Sequence, residues 1–147
     1  MFHRILVPTD FSDCAREAWD VAKRLSTAAG GELIACYVLP EKARFAPDLF
    51  ADDRAINVRA WANAALDDMV HEARTKGLQA RAAIRTGPPY QEIVALAIDE
   101  RADLIVIGTH GRGGMNRVLL GSVADRVIRL APCAVLTVRQ PSKVAAA

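Results

Sequence analysis

The chain has 147 residues, of which 52% are apolar and 24% are charged, and its formal net charge is +2. This composition is typical of one globular domain and excludes an intrinsically disordered chain. The basic residues are scattered rather than clustered, which argues against proteins that bind nucleic acids or anionic membranes. We therefore expect neither a nucleic-acid partner nor a membrane partner.

The cysteines and the N-terminal residues indicate the cellular compartment of the protein. Cys14, Cys36 and Cys133 are widely spaced and form no C-x-x-C pair, so we expect neither a zinc site nor a disulfide framework. Free thiols fit a reducing compartment. The apolar stretch near the N-terminus is too short for a signal peptide and is interrupted by Pro8. No window approaches the roughly 20 apolar residues of a membrane helix. We expect a cytoplasmic protein.

Short apolar runs alternate along the chain with amphipathic stretches of helical period. Ser12 is a favourable N-cap for the first helix, and Gly30 is a favourable stop. In chain order, the predicted elements are strand 5–7, a helix between Ser12 and Gly30, strand 33–39, loop 40–51, helix 52–76, strand 78–85, helix 90–101, strand 104–107, helix 122–130 and strand 134–138.

The periodicity of the two shorter helices predicts which side chains they bury. In helix 90–101, the predicted inward side chains are Ile93, Val94, Ala97 and Ile98. In helix 122–130, they are Val123, Ala124, Val127 and Ile128. Each of these helices is therefore expected to cover one face of a sheet.

Alternating strands and helices are typical of a parallel sheet with helices on both faces. The first and fourth strands are the densest apolar runs, so we place them at the centre of the sheet. The third strand alternates, which suits an edge. With right-handed crossovers, these placements predict a doubly wound, five-stranded α/β fold with the strand order 3-2-1-4-5. We assign it to one domain over residues 1–140, followed by a disordered tail at 141–147.

This strand order predicts where a ligand binds. The first and fourth strands become neighbours whose following connections diverge, and ligands of doubly wound sheets bind in the crevice that opens there. Two loops must line it. One is Pro8-Thr9-Asp10 after the first strand, and the other is the glycine-rich segment after the fourth. These are also the two most unusual loops of the sequence.

The glycine-rich segment has the chemistry of a phosphate-binding loop. It follows Ile107 with the spacing G-x2-G-x9-G-S, formed by Gly108, Gly111, Gly121 and Ser122. Glycine permits positive φ and lets backbone N–H groups approach an anion. The helix that Ser122 opens offers free N–H groups and a favourable dipole. Arg112 adds a positive charge within the loop.

Two other interpretations of this loop stay open. Ser122 and Asp125 match a capping box, so an alternative role of Ser122 is to cap its helix without binding a ligand. The glycines are also candidates for a flexible turn without a ligand. The segment is neither a Walker A loop, because no Gly-Lys-Ser/Thr follows its glycines, nor the G-x-G-x-x-G of dinucleotide-binding folds, which follows the first strand.

Asp10 and His110 are the candidate chemical groups beside the crevice. A carboxylate near phosphates is repulsive unless it holds a divalent cation or a sugar hydroxyl. The sequence leaves both roles open for Asp10, together with a role in capping the first helix or shaping the turn before it. His110 is a candidate phosphate contact, a candidate base or a solvated side chain. No nucleophile–base pair stands out, so the sequence predicts a binding pocket without a reaction centre.

Together with the opening Ile-Leu-Val-Pro-Thr-Asp-Phe-Ser at residues 5–12, the G-x2-G-x9-G-S pattern resembles the universal stress protein family over about residues 3–139. The resemblance implies the ATP-binding branch of that family. The expected ligand is ATP, or ADP or AMP, with Mg²⁺ or Mn²⁺. The site residues that it implies are Pro8, Thr9 and Asp10 for the nucleoside and its metal or ribose, Val38 for the adenine, and Ile107, Gly108, Gly111, Arg112, Gly121, Ser122 and Val123 for ribose and phosphates.

The resemblance further implies a nucleotide-dependent stress-response or signalling module that hydrolyses ATP slowly at most. An ATP-dependent ligase or hydrolase on the same fold is the alternative, although such ligases carry an SGG-type loop where this chain has Pro8-Thr9-Asp10. A flavodoxin-type protein would place its phosphate loop after the first strand. A homodimer through the last strand, which includes Val135 and Val138, is also implied, and the apolar edge of that strand needs covering.

Overall fold

The computed structural model of the protein describes residues 1–40, 51–110 and 120–140, and for residues 51–57 it describes the backbone alone. The predicted tail at 141–147 and residues 41–50 of the predicted loop lie outside this description. In the described part of the chain, no helix is long and apolar enough to cross a membrane. The elements in chain order are β1 (Arg4–Pro8), α1 (Asp13–Ala29), β2 (Glu32–Leu39), α2 (Ala51–Thr75), β3 (Ala80–Thr86), α3 (Pro89–Asp99), β4 (Leu104–Gly108), α4 (Ser122–Leu130) and β5 (Ala134–Val138).

The five strands form one parallel sheet in the order β3-β2-β1-β4-β5. β1 is central and pairs with both β2 and β4, so that Leu6 lies opposite Ile34 on one side and Ile105 on the other. All three of these side chains are fully buried. β3 forms one edge of the sheet and β5 the other. The predicted doubly wound α/β fold, its strand order and the edge position of the third strand are confirmed.

The helices cover the two faces of the sheet in pairs. α1 and α2 pack on one face, and α3 and α4 pack on the other. Along β1, Ile5 and Val7 point into the first layer while Leu6 points into the second, because successive side chains of a strand point to opposite faces. A strand covered on both faces therefore requires an unbroken apolar run, and such runs mark β1 and β4 in the sequence.

The ends of α1 match the sequence prediction. Ser12 precedes the helix, and its hydroxyl accepts the N–H of Ala15 at 3.2 Å. Gly30 follows the helix with φ of 77°, and its N–H donates to the Ser26 carbonyl at 2.7 Å. Both caps provide partners for backbone groups that a helix end leaves without intrahelical bonds. The cap by Ser12 also fixes where the loop after β1 ends and α1 begins.

The predicted inward faces of α3 and α4 are partly wrong. Leu96, absent from the prediction, is 1% exposed, whereas Ile98 is 58% exposed and Ile128 is 44% exposed. A helix rotates by about 100° per residue, so Leu96 lies beside Ile93 and Ala97 while Ile98 lies well away from them. α3 buries a narrow stripe at i, i+3 and i+4, and α4 buries only Ala124 and Val127 at i and i+3, so the side chains that flank these stripes reach solvent.

Charged groups fasten the amino ends of the strands, opposite the predicted ligand crevice. The Asp103 carboxylate accepts the backbone N–H groups of His3 at 2.7 Å and Arg4 at 3.1 Å. Burial raises the pKa of Asp103, but these two amides outweigh that effect and lower it overall. Arg81 of β3 bridges Glu32 and Glu100. These contacts tie β1, β2, β3 and the segment before β4 together at the end of the sheet that carries no predicted site.

The carboxylate of Glu72 on α2 gives the fold a pH dependence. The ammonium nitrogens of Lys23 and Lys76 lie 2.8 and 2.7 Å from Glu72 Oε1. These hydrogen bonds, that from Lys23 foremost, lower the pKa of Glu72 to about 2. A carboxyl whose pKa is lower in the folded than in the unfolded chain stabilises the fold above its unfolded value of about 4.3. That contribution is lost as the pH falls through the folded value.

As the pH falls from about 5 to about 2, we expect the free energy of unfolding to decrease less in Glu72→Gln than in the wild type. The Glu72 side chain is 46% exposed, so the difference stays within the ~1 kcal/mol typical of exposed ion pairs. Urea unfolding at several pH values across this window measures it. The control is Asp68→Asn, which removes an exposed carboxylate from the same helix. Identical pH profiles for Glu72→Gln and the wild type would contradict the assignment.

Candidate functional site

A cavity of about 560 Å³ lies at the carboxyl ends of β1, β2 and β4. Its volume is in the range of pockets that hold small molecules. The predicted site residues that line it are Pro8, Thr9, Asp10, Val38, Ile107, Gly108, Gly121, Ser122 and Val123. Gly111 and Arg112 lie outside the described residues. The structure therefore brings the two predicted loops together where the connections after β1 and β4 diverge.

The cavity joins two kinds of surface. One side is apolar and is formed by the end of β2 with Val38 and Pro40 and by the start of α3 with Pro89 and Ile93. The sequence prediction missed the contribution of α3. The Gly-Pro-Pro turn at 87–89 was the available signal, because it follows a parallel strand and so begins at the same edge of the sheet as the other two loops. The polar groups that line the cavity include those of the β1 loop and of α4.

The loop after β1 is held by its own side-chain oxygens. The Thr9 hydroxyl accepts the N–H of Phe11 at 3.0 Å, and Asp10 Oδ1 accepts the N–H of Ser12 at 3.0 Å. The turn-shaping role of Asp10 is thus confirmed for Oδ1. A carboxylate has lone pairs for further partners, so this bond does not exhaust Asp10 as a ligand group. The Thr9 N–H continues the β1–β2 ladder by donating to the Cys36 carbonyl at 2.8 Å.

Phe11 takes a backbone conformation that bulky residues rarely adopt. Its φ is 63°, in the left-handed region, which costs about 1–3 kcal/mol for a non-glycine residue. Its ring centroid lies 5.3 Å from that of Tyr37 and 5.0 Å from that of Trp61, which it meets in a T-shaped contact. Aromatic contacts of this kind contribute about 0.5–1.5 kcal/mol each, enough to offset much of that strain. The aromatic cluster therefore fixes the turn that presents Asp10 to the cavity.

The polar side of the cavity includes the N-terminus of α4. The N-cap is Gly121, without a side-chain cap, and Ser122 is the first helical residue. The alternative that Ser122 caps its helix is therefore wrong. The N–H of Gly121 donates to the Thr109 carbonyl at 2.6 Å, and that of Asp125 donates to the Gly121 carbonyl at 2.9 Å. The amides without partners in the helix are those of Ser122, Val123 and Ala124.

The glycines beside the cavity are required for close packing rather than for positive φ. Among the described glycines, positive φ occurs at Gly30, Gly77 and Gly87, so that expectation is wrong for Gly108 and Gly121. A Cβ on Gly108 would lie 3.0–3.1 Å from Cys14, and one on Gly121 would lie 2.6 Å from the Thr109 carbonyl oxygen. Glycine lets α1 and the start of α4 approach the end of β4 closely.

Two titratable side chains at the cavity, Cys36 and His110, have buried polar atoms. Burial raises the pKa of the Cys36 thiol to about 12, with opposing effects of Arg85 and Glu92. Cys36 is thus a neutral thiol and not a nucleophile. His110 places Nδ1 3.0 Å from the Thr109 hydroxyl oxygen, while its Nε2 is buried and has no hydrogen-bond partner among the described residues.

The donor set in the cavity suits a metal that arrives with a ligand. Within the described ranges, no group of three or more His, Cys, Asp or Glu side chains is placed to hold a metal ion. Asp10 supplies a single carboxylate to the cavity. Mg²⁺ is commonly held by one or two carboxylates together with phosphate oxygens and water. The described residues of the cavity therefore fit a divalent cation that arrives as part of a phosphate-bearing ligand.

Gly108→Ala is expected to destabilise the protein by about 1–3 kcal/mol, because the first turn of α1 must shift to admit a methyl group. Chemical denaturation measures this change. Two of the three closest atoms belong to the backbone of Cys14, so Cys14→Ala serves as the control and should not rescue the variant. A double variant as stable as Cys14→Ala alone would show that the thiol is the obstacle and would contradict this explanation.

The sequence matches the model of the universal stress protein family over residues 1–139. Universal stress protein MJ0531 of Methanocaldococcus jannaschii is 34% identical over 145 residues, which cover 97% of this chain and 85% of that protein. A Thermus aquaticus universal stress protein, from the region 3′ of QAH/OAS sulfhydrylase, is 36% identical, with 95% of this chain and 100% of that protein covered.

Solved structures agree with these sequence relatives. The structure of MJ0577 has a TM-score of 0.88 at 30% identity and covers 97% of this chain and 99% of its own; the protein comes from M. jannaschii. A universal stress protein in complex with cAMP has a TM-score of 0.71 at 27% identity, with 94% and 97% covered. One from Archaeoglobus fulgidus in complex with dAMP has a TM-score of 0.70 at 26% identity, with 92% and 97% covered. From its motifs, its fold and these relatives, the chain belongs to the universal stress protein family.

Proposed function

We propose that this protein binds an adenine nucleotide (ATP, or ADP or AMP) in the cavity and acts as a nucleotide-dependent stress-response or signalling module. One observation carries the proposal: a single cavity joins an apolar wall to the unpaired amides of a helix N-terminus. An apolar wall suits a planar base, and a helix N-terminus suits a phosphate. The structures of relatives in complex with cAMP and dAMP, both adenine nucleotides, support the choice of ligand class.

The proposed pose follows from the placement of these two surfaces. The adenine lies against Val38 and Ile93 on the apolar side, and the ribose lies near the Pro8-Thr9-Asp10 loop. The phosphates accept hydrogen bonds from the backbone N–H groups of Ser122 and Val123 and from the Ser122 hydroxyl. The other residues that the motif contributes to this part of the site are Ile107, Gly108, Gly111, Arg112 and Gly121. In this arrangement the N–H of Gly121 is not a phosphate donor, because it already binds the Thr109 carbonyl.

Asp10 is proposed to face a divalent cation, Mg²⁺ or Mn²⁺, that accompanies the phosphates. A bare carboxylate beside phosphate oxygens is repulsive, and a cation between them reverses the sign of that interaction. Among the described residues that line the cavity, Asp10 is the only acidic one, so no second carboxylate is placed to activate water. We therefore propose that ATP is bound and hydrolysed slowly at most. The three cysteines are free thiols, which supports a cytoplasmic location.

Binding is tested by thermal unfolding with Mg-ATP and by titration calorimetry. A ligand at about 100 times its Kd adds ~2.7 kcal/mol to stability, which raises the Tm of a chain of this size by about 5–10 °C. Ser122→Ala is expected to weaken binding about tenfold, because a hydrogen bond to a charged group is lost. The same change leaves the stability of the free protein within ~0.5 kcal/mol, since Ser122 does not cap its helix.

The matched control is Thr27→Ala, which removes an exposed hydroxyl from α1, outside the cavity. Chromatography of the nucleotide after incubation measures hydrolysis in the same samples. No change in Tm of the wild type at millimolar Mg-ATP would refute nucleotide binding. Rapid turnover would instead identify an enzyme.

We propose that the protein forms a homodimer through β5, the strand at the edge of the sheet next to β4. β5 has one neighbour, β4, and its Leu136 is 38% exposed. The Val138 carbonyl accepts the Thr109 N–H on the β4 side. The backbone groups of alternate residues in a strand point to opposite sides, so those of Val135 and Thr137 point outward. These outward groups are positioned to pair with β5 of a second chain.

Thr137→Pro is expected to yield a folded monomer, because proline removes an outward N–H without removing a bond to β4. Multi-angle light scattering at micromolar concentration measures the oligomeric state. Thr137→Val retains the amide and should remain dimeric. A wild-type monomer under these conditions would refute the proposed pairing.

A further inference from the structure

Thr109, the residue directly after β4, joins three elements around the cavity. It lines the cavity, yet it is only 3% exposed. Its N–H donates to the Val138 carbonyl of β5 at 2.9 Å, and its carbonyl accepts the N–H of Gly121 at 2.6 Å. Its hydroxyl oxygen lies 3.0 Å from His110 Nδ1 and 3.9 Å from Cys14 Sγ of α1. One buried polar residue thus contacts α1, β5 and the start of α4.

The hydroxyl of Thr109 has a defined place in a hydrogen-bonded chain. The Val138 carbonyl can only accept, and it takes the hydrogen of Cys14 Sγ at 3.2 Å. Cys14 Sγ then acts toward Thr109 as an acceptor. The Thr109 hydroxyl either donates to Cys14 Sγ and accepts from His110 Nδ1–H, or donates to His110 Nδ1 in the other imidazole tautomer. His110 Nε2 is buried without a hydrogen-bond partner in the described part of the chain. The hydrogen bond between the Thr109 hydroxyl and Nδ1 is therefore the one that orients the imidazole.

The carbonyl of Thr109 fixes the amides that would meet a phosphate. Glycine at 121 has no Cβ, so the α4 backbone approaches this carbonyl more closely than any other residue type would allow. The unpaired amides of Ser122 and Val123 follow immediately. The contact with Cys14 fastens Thr109 to the first turn of α1, which follows the Asp10 loop. Thr109 therefore sets the separation between Asp10 and the α4 amides.

We propose that Thr109 is a positioning residue for the phosphate half of the cavity, acting through its hydroxyl without touching the nucleotide. This inference rests on the proposed nucleotide binding. Every residue type except proline would supply the two backbone bonds, so the contribution specific to threonine is the hydroxyl between α1 and His110. Its loss would leave both imidazole nitrogens without a partner among the described residues and would loosen the link between α1 and the end of β4.

The test compares a ligand that has phosphates with one that lacks them. Titration calorimetry of the full chain measures the affinities of Mg-ATP and of adenosine for the wild type, Thr109→Val and Thr109→Ser. Valine retains the branched shape without the hydroxyl, and serine retains the hydroxyl. We expect Thr109→Val to weaken the binding of Mg-ATP about tenfold, because one buried hydrogen bond is lost. The affinity for adenosine should change by less than about twofold. Thr109→Ser should bind Mg-ATP within about threefold of the wild type.

The ratio of the two affinities separates positioning from mere stabilisation of the fold. A residue that only stabilises the fold would alter Tm and leave that ratio unchanged. If Thr109→Val does not fold, Cys14→Ala gives the same comparison, because it removes the sulfur that anchors the hydroxyl; we expect it to weaken Mg-ATP selectively as well. The positioning role alone would be overturned if Thr109→Val kept the wild-type ratio of Mg-ATP to adenosine affinity, or if Thr109→Ser bound Mg-ATP as weakly as Thr109→Val. A wild type that binds neither ligand would overturn the proposed function and this role with it.

Discussion

The parallel pairing of β1 with β4 is the constraint on which the rest of the structure depends. Leu6 and Ile105 face each other across this pair, and both are fully buried between the two helical layers. Because the chain leaves β1 toward one face and β4 toward the other, the connections that follow them diverge and leave a crevice. The cavity, the Asp10 loop and the α4 N-terminus all lie at that point, so the site is a consequence of strand order.

Close packing at the end of β4 converts this crevice into a shaped site. Cys14 of α1 lies against Gly108, and the Gly121 backbone lies against the Thr109 carbonyl. Glycine at both positions lets two helices approach one strand end. The same contacts withdraw the Gly121 amide from ligand binding and leave the next three amides of α4 without intrahelical partners. Packing therefore selects which backbone groups of the glycine motif can meet an anion.

Much of the site could be predicted because strand order and loop position are encoded locally. Dense apolar runs identified β1 and β4, and their following loops had to meet. The apolar wall at Pro89 and Ile93 was missed because the Gly-Pro-Pro turn at 87–89 marks only the edge of the sheet at which α3 begins; the wall itself depends on how α3 is placed relative to the sheet. The capping interpretation of Ser122 was wrong because the Thr109 carbonyl makes Gly121 the last residue before α4. The exposed Ile98 reflects the rotation of α3 against the sheet.

The sequence by itself determined the alternation of strands and helices, the order of the sheet and the two loops that line the cavity, because these depend on the local density and spacing of apolar residues. The tertiary structure decided which amides are unpaired, why Gly108 and Gly121 must be glycine and how the imidazole of His110 is oriented. Those features depend on contacts such as that between Cys14 and Thr109, which lie 95 residues apart in the chain. Such contacts form only when the helices dock on the sheet, and no local pattern of residues records their distances.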